Sequence, residues 1–228
     1  MTQKIIVLSI CSFLVFQGFA QNLKEDLVQL QQYYHQEAIN CQIETRTFKD
    51  HHSVEPDLVS KGVFKRRGND LLYEVDDVVL LYNENYSITY HQGEGIVYCG
   101  EKTSEGHRKM PIIDFTKMLS RYESIEYKGV VENNKCYILK QAQSPIPIME
   151  FYVDQDHYKV KKIVYHYDEA YNTGAIRTEI SFQYSNAKAF AIDEFSESRF
   201  VLVDQKKVRL HPRLKNHELI LSDGLIYD

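Results

Sequence analysis

The sequence predicts a mostly β (α+β) fold. The expected architecture is a curved antiparallel sheet, a half-barrel of about ten strands, with its concave face covered by two or three short helices. Three observations predict it. Apolar and polar residues alternate with period two in segment after segment, most plainly in Ala175–Tyr184. There Ile176, Thr178, Ile180, Phe182 and Tyr184 share one face, and Arg177, Glu179, Ser181 and Gln183 the other. The connections are short and rich in Asn, Asp and Gly, the residues that turn a chain cheaply. The aromatic content is 17 Tyr and 11 Phe with no Trp, which favours pleated, half-buried surfaces.

Taken in order, the chain opens with Lys4, an apolar run over Ile5–Phe16, and the small residues Gly18 and Ala20. This reads as a secretory signal peptide over 1–20, cleaved before Gln21. No Cys follows the small residues, so a lipid-anchored terminus is not expected. The product is expected to be periplasmic or secreted. The whole chain carries a net charge of −5, and loss of Lys4 makes it more negative. That balance argues against a nucleic-acid partner, whose phosphates need a basic face. Cys41, Cys99 and Cys136 remain. One pair could be bridged in an oxidising compartment, or all three could be small buried hydrophobes.

Leu23–Asn40 has helical period, with Leu27, Leu30, Tyr34 and Ala38 on one stripe and Asn22 as N-cap. Cys41–Lys49 reads as a strand and Asp50–Pro56 as a polar turn, in which His51 and His52 are solvated rather than metal-bound. Hairpins follow at Val59–Arg66 with Leu71–Val75, and at Val78–Tyr82 with Tyr86–Tyr90, then a strand over Gly95–Gly100. Glu101–Lys109 is a polar loop. Ile112–Tyr122 returns to helical period through Ile112, Phe115, Leu119 and Tyr122. Five strands come next: Ile125–Val131, Lys135–Gln141, Pro147–Asp154, Tyr158–Tyr167 and Ala175–Tyr184. The domain is expected to run over 21–200, with a C-terminal extension over 201–228. That extension carries a basic stretch, Lys206–Lys215, which reads as a solvated tail lying against the sheet edge or as a contact for an anionic lipid surface or an acidic partner, and its end, Asn216–Asp228, is expected to be partly loose.

Catalytic patterns are missing. There is no Gly-x-Ser-x-Gly, no Cys in a His-paired context, and the glycines at 93 and 95 open onto a strand rather than a helix. Asp76–Asp77 and Asp154/Asp156 sit at turns, where Asp serves the backbone. The protein is therefore expected not to be an enzyme and to need neither cofactor nor metal.

The order of elements resembles the bacterial lipoprotein-carrier family of LolA and LolB type, which sorts outer-membrane lipoproteins. Gly62–Arg66 followed by Leu71–Tyr73 is similar to that family's Gly-apolar-Lys-Arg strand and its aromatic partner. Val78–Tyr90 resembles its strand–turn–strand, Met149–Asp154 with Val160–Tyr165 its paired late strands, and Ile180–Lys188 with Asp193–Phe195 its last strand and exit. The sequence departs at Arg67, where the family often has Pro, and at the Asn83–Asn85 turn. The resemblance implies a carrier that shelters acyl chains of a lipid or lipoprotein in an apolar groove under helical lids, with transient contact to membrane-bound partners. By alternation, the groove would be lined by Ile43, Phe64, Tyr73, Val75, Tyr82, Ile88, Tyr90, Phe151, Ile163, Tyr165, Ile180 and Phe182. The family's lid-holding strand arginine would correspond to Arg66. The alternative is an exported interaction module on the same scaffold with a filled core.

Overall fold

The structure is a computed structural model and describes residues 25–35, 38–102, 117, 120–171, 174–185, 190–191, 193–222 and 224–228. The expected class is the class observed: mostly β, dominated by antiparallel strands. A 12-stranded sheet has the order β14-β6-β5-β4-β3-β2-β1-β11-β10-β9-β8-β7, and a second sheet the order β12-β13-β15. The strands are β1 (Ala38–Phe48), β2 (Leu58–Arg67), β3 (Asp70–Val75), β4 (Val78–Tyr82), β5 (Tyr86–His91) and β6 (Ile96–Glu101), followed by β7 (Ser124–Val131), β8 (Asn134–Lys140), β9 (Ile148–Asp154), β10 (Val160–His166) and β11 (Arg177–Tyr184). The chain then adds β12 (Val201–Asp204), β13 (Lys207–Leu210), β14 (Glu218–Leu221) and β15 (Ile226–Tyr227). Among the described residues, β14 and β7 end the order and are not paired to each other.

One α-helix is described, α1 over 25–34. It is shorter than the expected Leu23–Asn40, because residues 38–40 have become strand. Ala38, Ile39 and Asn40 pair in register with Arg67, Arg66 and Lys65, and Ile39 is almost fully buried there. A strand position that buries Ile39 outweighs the helical period that Ala38 suggests. The N-cap at Asn22, the segment 1–20 and most of the helix expected over Ile112–Tyr122 lie outside the described residues; of the described residues in that stretch, 117 is helical and 120–122 are not.

The chain divides into two compact units, described separately. The C-terminal unit comprises Gln36–Thr47, Glu55–Ile112 and Ile180–Asp228. Its strands β1 to β6 form an antiparallel meander, and β14 joins parallel to β6, Glu218 opposite Ile96. Residues opposite each other across a ladder share a face. One face therefore carries Leu72, Leu81, Ile88, Val97 and Cys99. These pack with Phe195, Phe200, Val201, Val208 and Leu214 into a single buried cluster. Within 201–228, β14 (Glu218–Leu221) makes a strand of part of the end expected to be partly loose, and Val201, Val208 and Leu214 are buried in the cluster on this face of the sheet. Asn83, at the β4–β5 turn, pins it: its Nδ2 donates to the Phe195 carbonyl at 3.2 Å and to Glu197 at 2.7 Å. Lys65 pairs with Glu194 at 2.7 Å, and Arg67 lies over the Phe195 ring at 4.9 Å. Gly62 is required by close approach, since a Cβ there would sit 2.5 Å from the Glu74 carbonyl oxygen.

The α1 unit comprises Met1–His35, Phe48–Val54 and Ile113–Glu179. It holds β7 to β10, joined in sequence by antiparallel ladders. Gly129, at φ 96°, makes the bulge that bends β7 between Tyr127 and Gly129. Leu139, Tyr137, Met149, Phe151 and Val153 share one face and are each at most 1% exposed.

Candidate ligand-binding site

Two apolar sheet faces, one in each unit, bear on function. In the C-terminal unit the face opposite the closed core carries Ile39, Cys41 and Ile43 on β1, Phe64 on β2, Leu71, Tyr73 and Val75 on β3, and Val78, Leu80 and Tyr82 on β4. Phe64 stands between Cys41 and Tyr73, and Tyr73 is opposite Leu80. Ile39, Cys41 and Leu71 are buried; Ile43, Phe64, Tyr73, Val75, Leu80 and Tyr82 are half-buried.

Of the residues expected to line a groove, the structure brings Ile43, Phe64, Tyr73, Val75 and Tyr82 onto this face. Val78 and Leu80 join the row by the same alternation along β4, although they are not among the expected lining residues. Ile88 and Tyr90 stand on the other face. Tyr82 is opposite Ser87, so Ile88 and Tyr90 pair with Leu81 and Val79 and turn into the closed core. A one-residue difference in register across the turn separates them from Tyr82. Ile180 and Phe182 alternate along β11 and are half-buried. Arg66 shares the face of Phe64, opposite Ile39 and Leu71, and is half-buried.

In the α1 unit, Phe151 is buried, and Ile163 and Tyr165 on β10 are half-buried on the same face. Helix α1 turns the stripe Asp26, Leu30 and Tyr34 inward, at 4%, 1% and 8% exposure. Asp26 accepts hydrogen bonds from Lys135 Nζ and from the Tyr137 hydroxyl, two neighbours on one face of β8. Burial first, and then the bond to Asp26, pushes the Tyr137 phenol well above its ordinary value. Lys135 Nζ also lies 5.4 Å from the Tyr158 ring centroid, and Lys159 Nζ 5.0 Å from that of Tyr33 on α1. Motifs and alternation do not single out Asp26, Lys135 and Tyr137. The available sign is a carboxylate at the head of the stripe Asp26-Leu30-Tyr34, at steps of four. A charge there needs a buried partner.

The opposite face of the same unit carries a connected polar network. His166 Nε2 lies 2.8 Å from Glu150, Tyr152 donates to Glu150 at 2.5 Å, and Lys162 pairs with Glu179 at 3.0 Å. Arg177 stacks 3.9 Å over Phe48 and donates to the carbonyls of His51 and Ser53. His51, expected to be solvated, stacks on His166 with centroids 6.0 Å apart. The hydrogen bond from His166, joined by the one from Tyr152, outweighs the opposing effect of burial and holds the Glu150 carboxyl below its ordinary 4.5. A carboxyl depressed in the folded state stabilises the fold above its unfolded value, and the contribution is lost as pH falls through the folded value. Glu150→Gln is therefore expected to flatten the fall in melting temperature between about pH 5 and pH 3, which calorimetry on both proteins would measure.

Cys41, Cys99 and Cys136 are buried thiols, and no pair of them is bridged. Burial pushes the Cys99 thiol up to about 11 and raises that of Cys136, so both stay protonated near neutral pH and are poor nucleophiles. Among the described residues no group of three or more His, Cys, Asp or Glu is arranged to hold a metal ion, and no helix is long and apolar enough to cross a membrane.

No protein-family model and no curated protein matches the sequence. Solved structures do match. A conserved, uncharacterized protein from Thermus thermophilus aligns with TM-score 0.50 at 7% identity, over 88% of this chain and 99% of its own. At that identity the likeness is one of fold. A LolA superfamily protein from Nitrosomonas europaea aligns with TM-score 0.36 and 9% identity over 77% of this chain and 98% of its own. The Mycobacterium tuberculosis lipoprotein LppX aligns with TM-score 0.42 and 9% identity over 75% of this chain and 99% of its own.

Proposed function

We propose that the protein is an exported, non-enzymatic carrier that shelters acyl chains of a lipid or lipoprotein against an apolar sheet face. One observation carries this reading. In the C-terminal unit, one sheet face is closed by buried residues of the C-terminal segment, while the other presents a half-buried row of Ile43, Phe64, Tyr73, Val75 and Tyr82. Each methylene moved from water onto such a face gains about 0.8 kcal/mol, so even a short acyl chain repays its ordering. The apolar segment at 5–16 supports export, and the resemblance to lipoprotein carriers supports an acyl ligand.

Purified protein lacking residues 1–20 is expected to take up the methyl ester of cis-parinaric acid, with a saturable rise in fluorescence reversed by unlabelled methyl oleate. Ile180→Trp is expected to weaken that uptake by filling space beside β11. Absence of any displaceable signal at micromolar probe would sink the reading.

A further inference from the structure

The buried edge of α1 is an anion followed by hydrocarbon. The Asp26 carboxylate lies at one end, on Lys135 and Tyr137 of β8, and Leu30 and Tyr34 follow one and two turns on. At 1.5 Å per residue these three side chains extend over about 12 Å, the dimensions of an ionised head and part of an acyl tail.

We propose that Lys135 and Tyr137 form a head-group site for a carboxylate amphiphile, a long-chain fatty acid, and that α1 occupies this site as a built-in surrogate that the ligand displaces. The proposal rests on the acyl-sheltering reading, carries it to the α1 unit, and names a ligand class and anchoring residues there. Two features support it. The two donors converge on one carboxylate from one face of one strand, so the site belongs to the sheet and persists when α1 leaves. Lys135 is further tied to the sheet side by the Tyr158 ring. The exchange leaves the buried charge unchanged: a ligand carboxylate takes the place of the Asp26 carboxylate on the same donors, and methylenes take the place of the buried Leu30 side chain.

The test compares cis-parinaric acid with its methyl ester at a pH where the acid is ionised. Both probes carry the same chain, and only the acid can pair with Lys135. Wild type is expected to bind the acid about tenfold more tightly than the ester, the order of one charge-assisted hydrogen bond. Asp26→Asn, which weakens the surrogate and leaves Lys135 in place, is expected to raise affinity for the acid several-fold. The double variant Asp26→Asn/Lys135→Met is expected to lose the preference for acid over ester. Equal binding of acid and ester by wild type, with the ester clearly bound, overturns the head-group site and leaves the acyl-sheltering reading standing. Retention of the preference in the double variant overturns it as well. Failure of both probes to bind overturns both readings.

Discussion

Val208→Asp is expected to unfold the protein, or to lower its midpoint in urea beyond the reach of ordinary conditions. Val208 is fully buried in the C-terminal unit, within the cluster that also holds Leu81, Val97 and Phe200. A carboxylate placed there has no donor built for it. It must either ionise without a partner or protonate at a cost, and burying an unpaired polar group costs several kcal/mol, comparable to the whole stability of many domains. Lys207→Asp is the control: its side chain is 59% exposed and its ion pair with Asp228 is 3.8 Å long. Surface pairs of that kind contribute well under about 1 kcal/mol. A small, similar loss in both variants would mean that β13 does not pack against the sheet. Circular dichroism during urea titration separates the outcomes.

The same pair of neighbours shows what is and is not legible in the sequence. Lys207, Val208, Arg209 and Leu210 alternate, but the two cations and the surrounding Lys206, Arg213 and Lys215 make the stretch read as a solvated basic patch. Only the partner residues make it a strand: Val201, Val203 and Phe200 lie across from it or beside it, and all three pack into the same core. Strands β2 to β5 are legible because each pattern is local, with its turn of Asn, Asp or Gly a few residues away. The assignment of faces is less so. Alternation fixes which residues of one strand agree, but the relation between strands depends on the turn, and the Asn83–Asn85 connection sets Ile88 and Tyr90 opposite Tyr82's face. Helix α1 is legible in its stripe and not in its end, since the pairing of Ala38–Asn40 with Lys65–Arg67 is a contact distant in sequence. Nothing local in Lys135-Cys-Tyr137 announces that it receives a carboxylate from residue 26.

Lys135→Met is expected to destabilise the protein by about 3–5 kcal/mol, far more than the loss of a lysine contact would suggest. The reason lies in what remains. Asp26 is 4% exposed, and without Lys135 its charge keeps, of its two donors among the described residues, the Tyr137 hydroxyl in a place shut off from water. The cost is therefore that of stranding a buried ion rather than the net worth of the pair. Asp26→Asn should cost less, because Lys135 is 23% exposed at its side chain and can extend its ammonium toward solvent. The double variant Asp26→Asn/Lys135→Met should recover most of the loss, since a neutral pair needs no compensation for desolvation and the methionine keeps the volume of the lysine stem. A double-mutant cycle in urea measures this directly, and the two single losses should sum to clearly more than the loss in the double variant. Additive losses would show that Asp26 and Lys135 do not meet, and with that the anchoring of α1 on β8 would fall. A strong coupling gives the physical reason for placing a carboxylate in the helix stripe: Leu30 and Tyr34 alone could slide along an apolar sheet, whereas Asp26 on Lys135 and Tyr137 fixes one docking position.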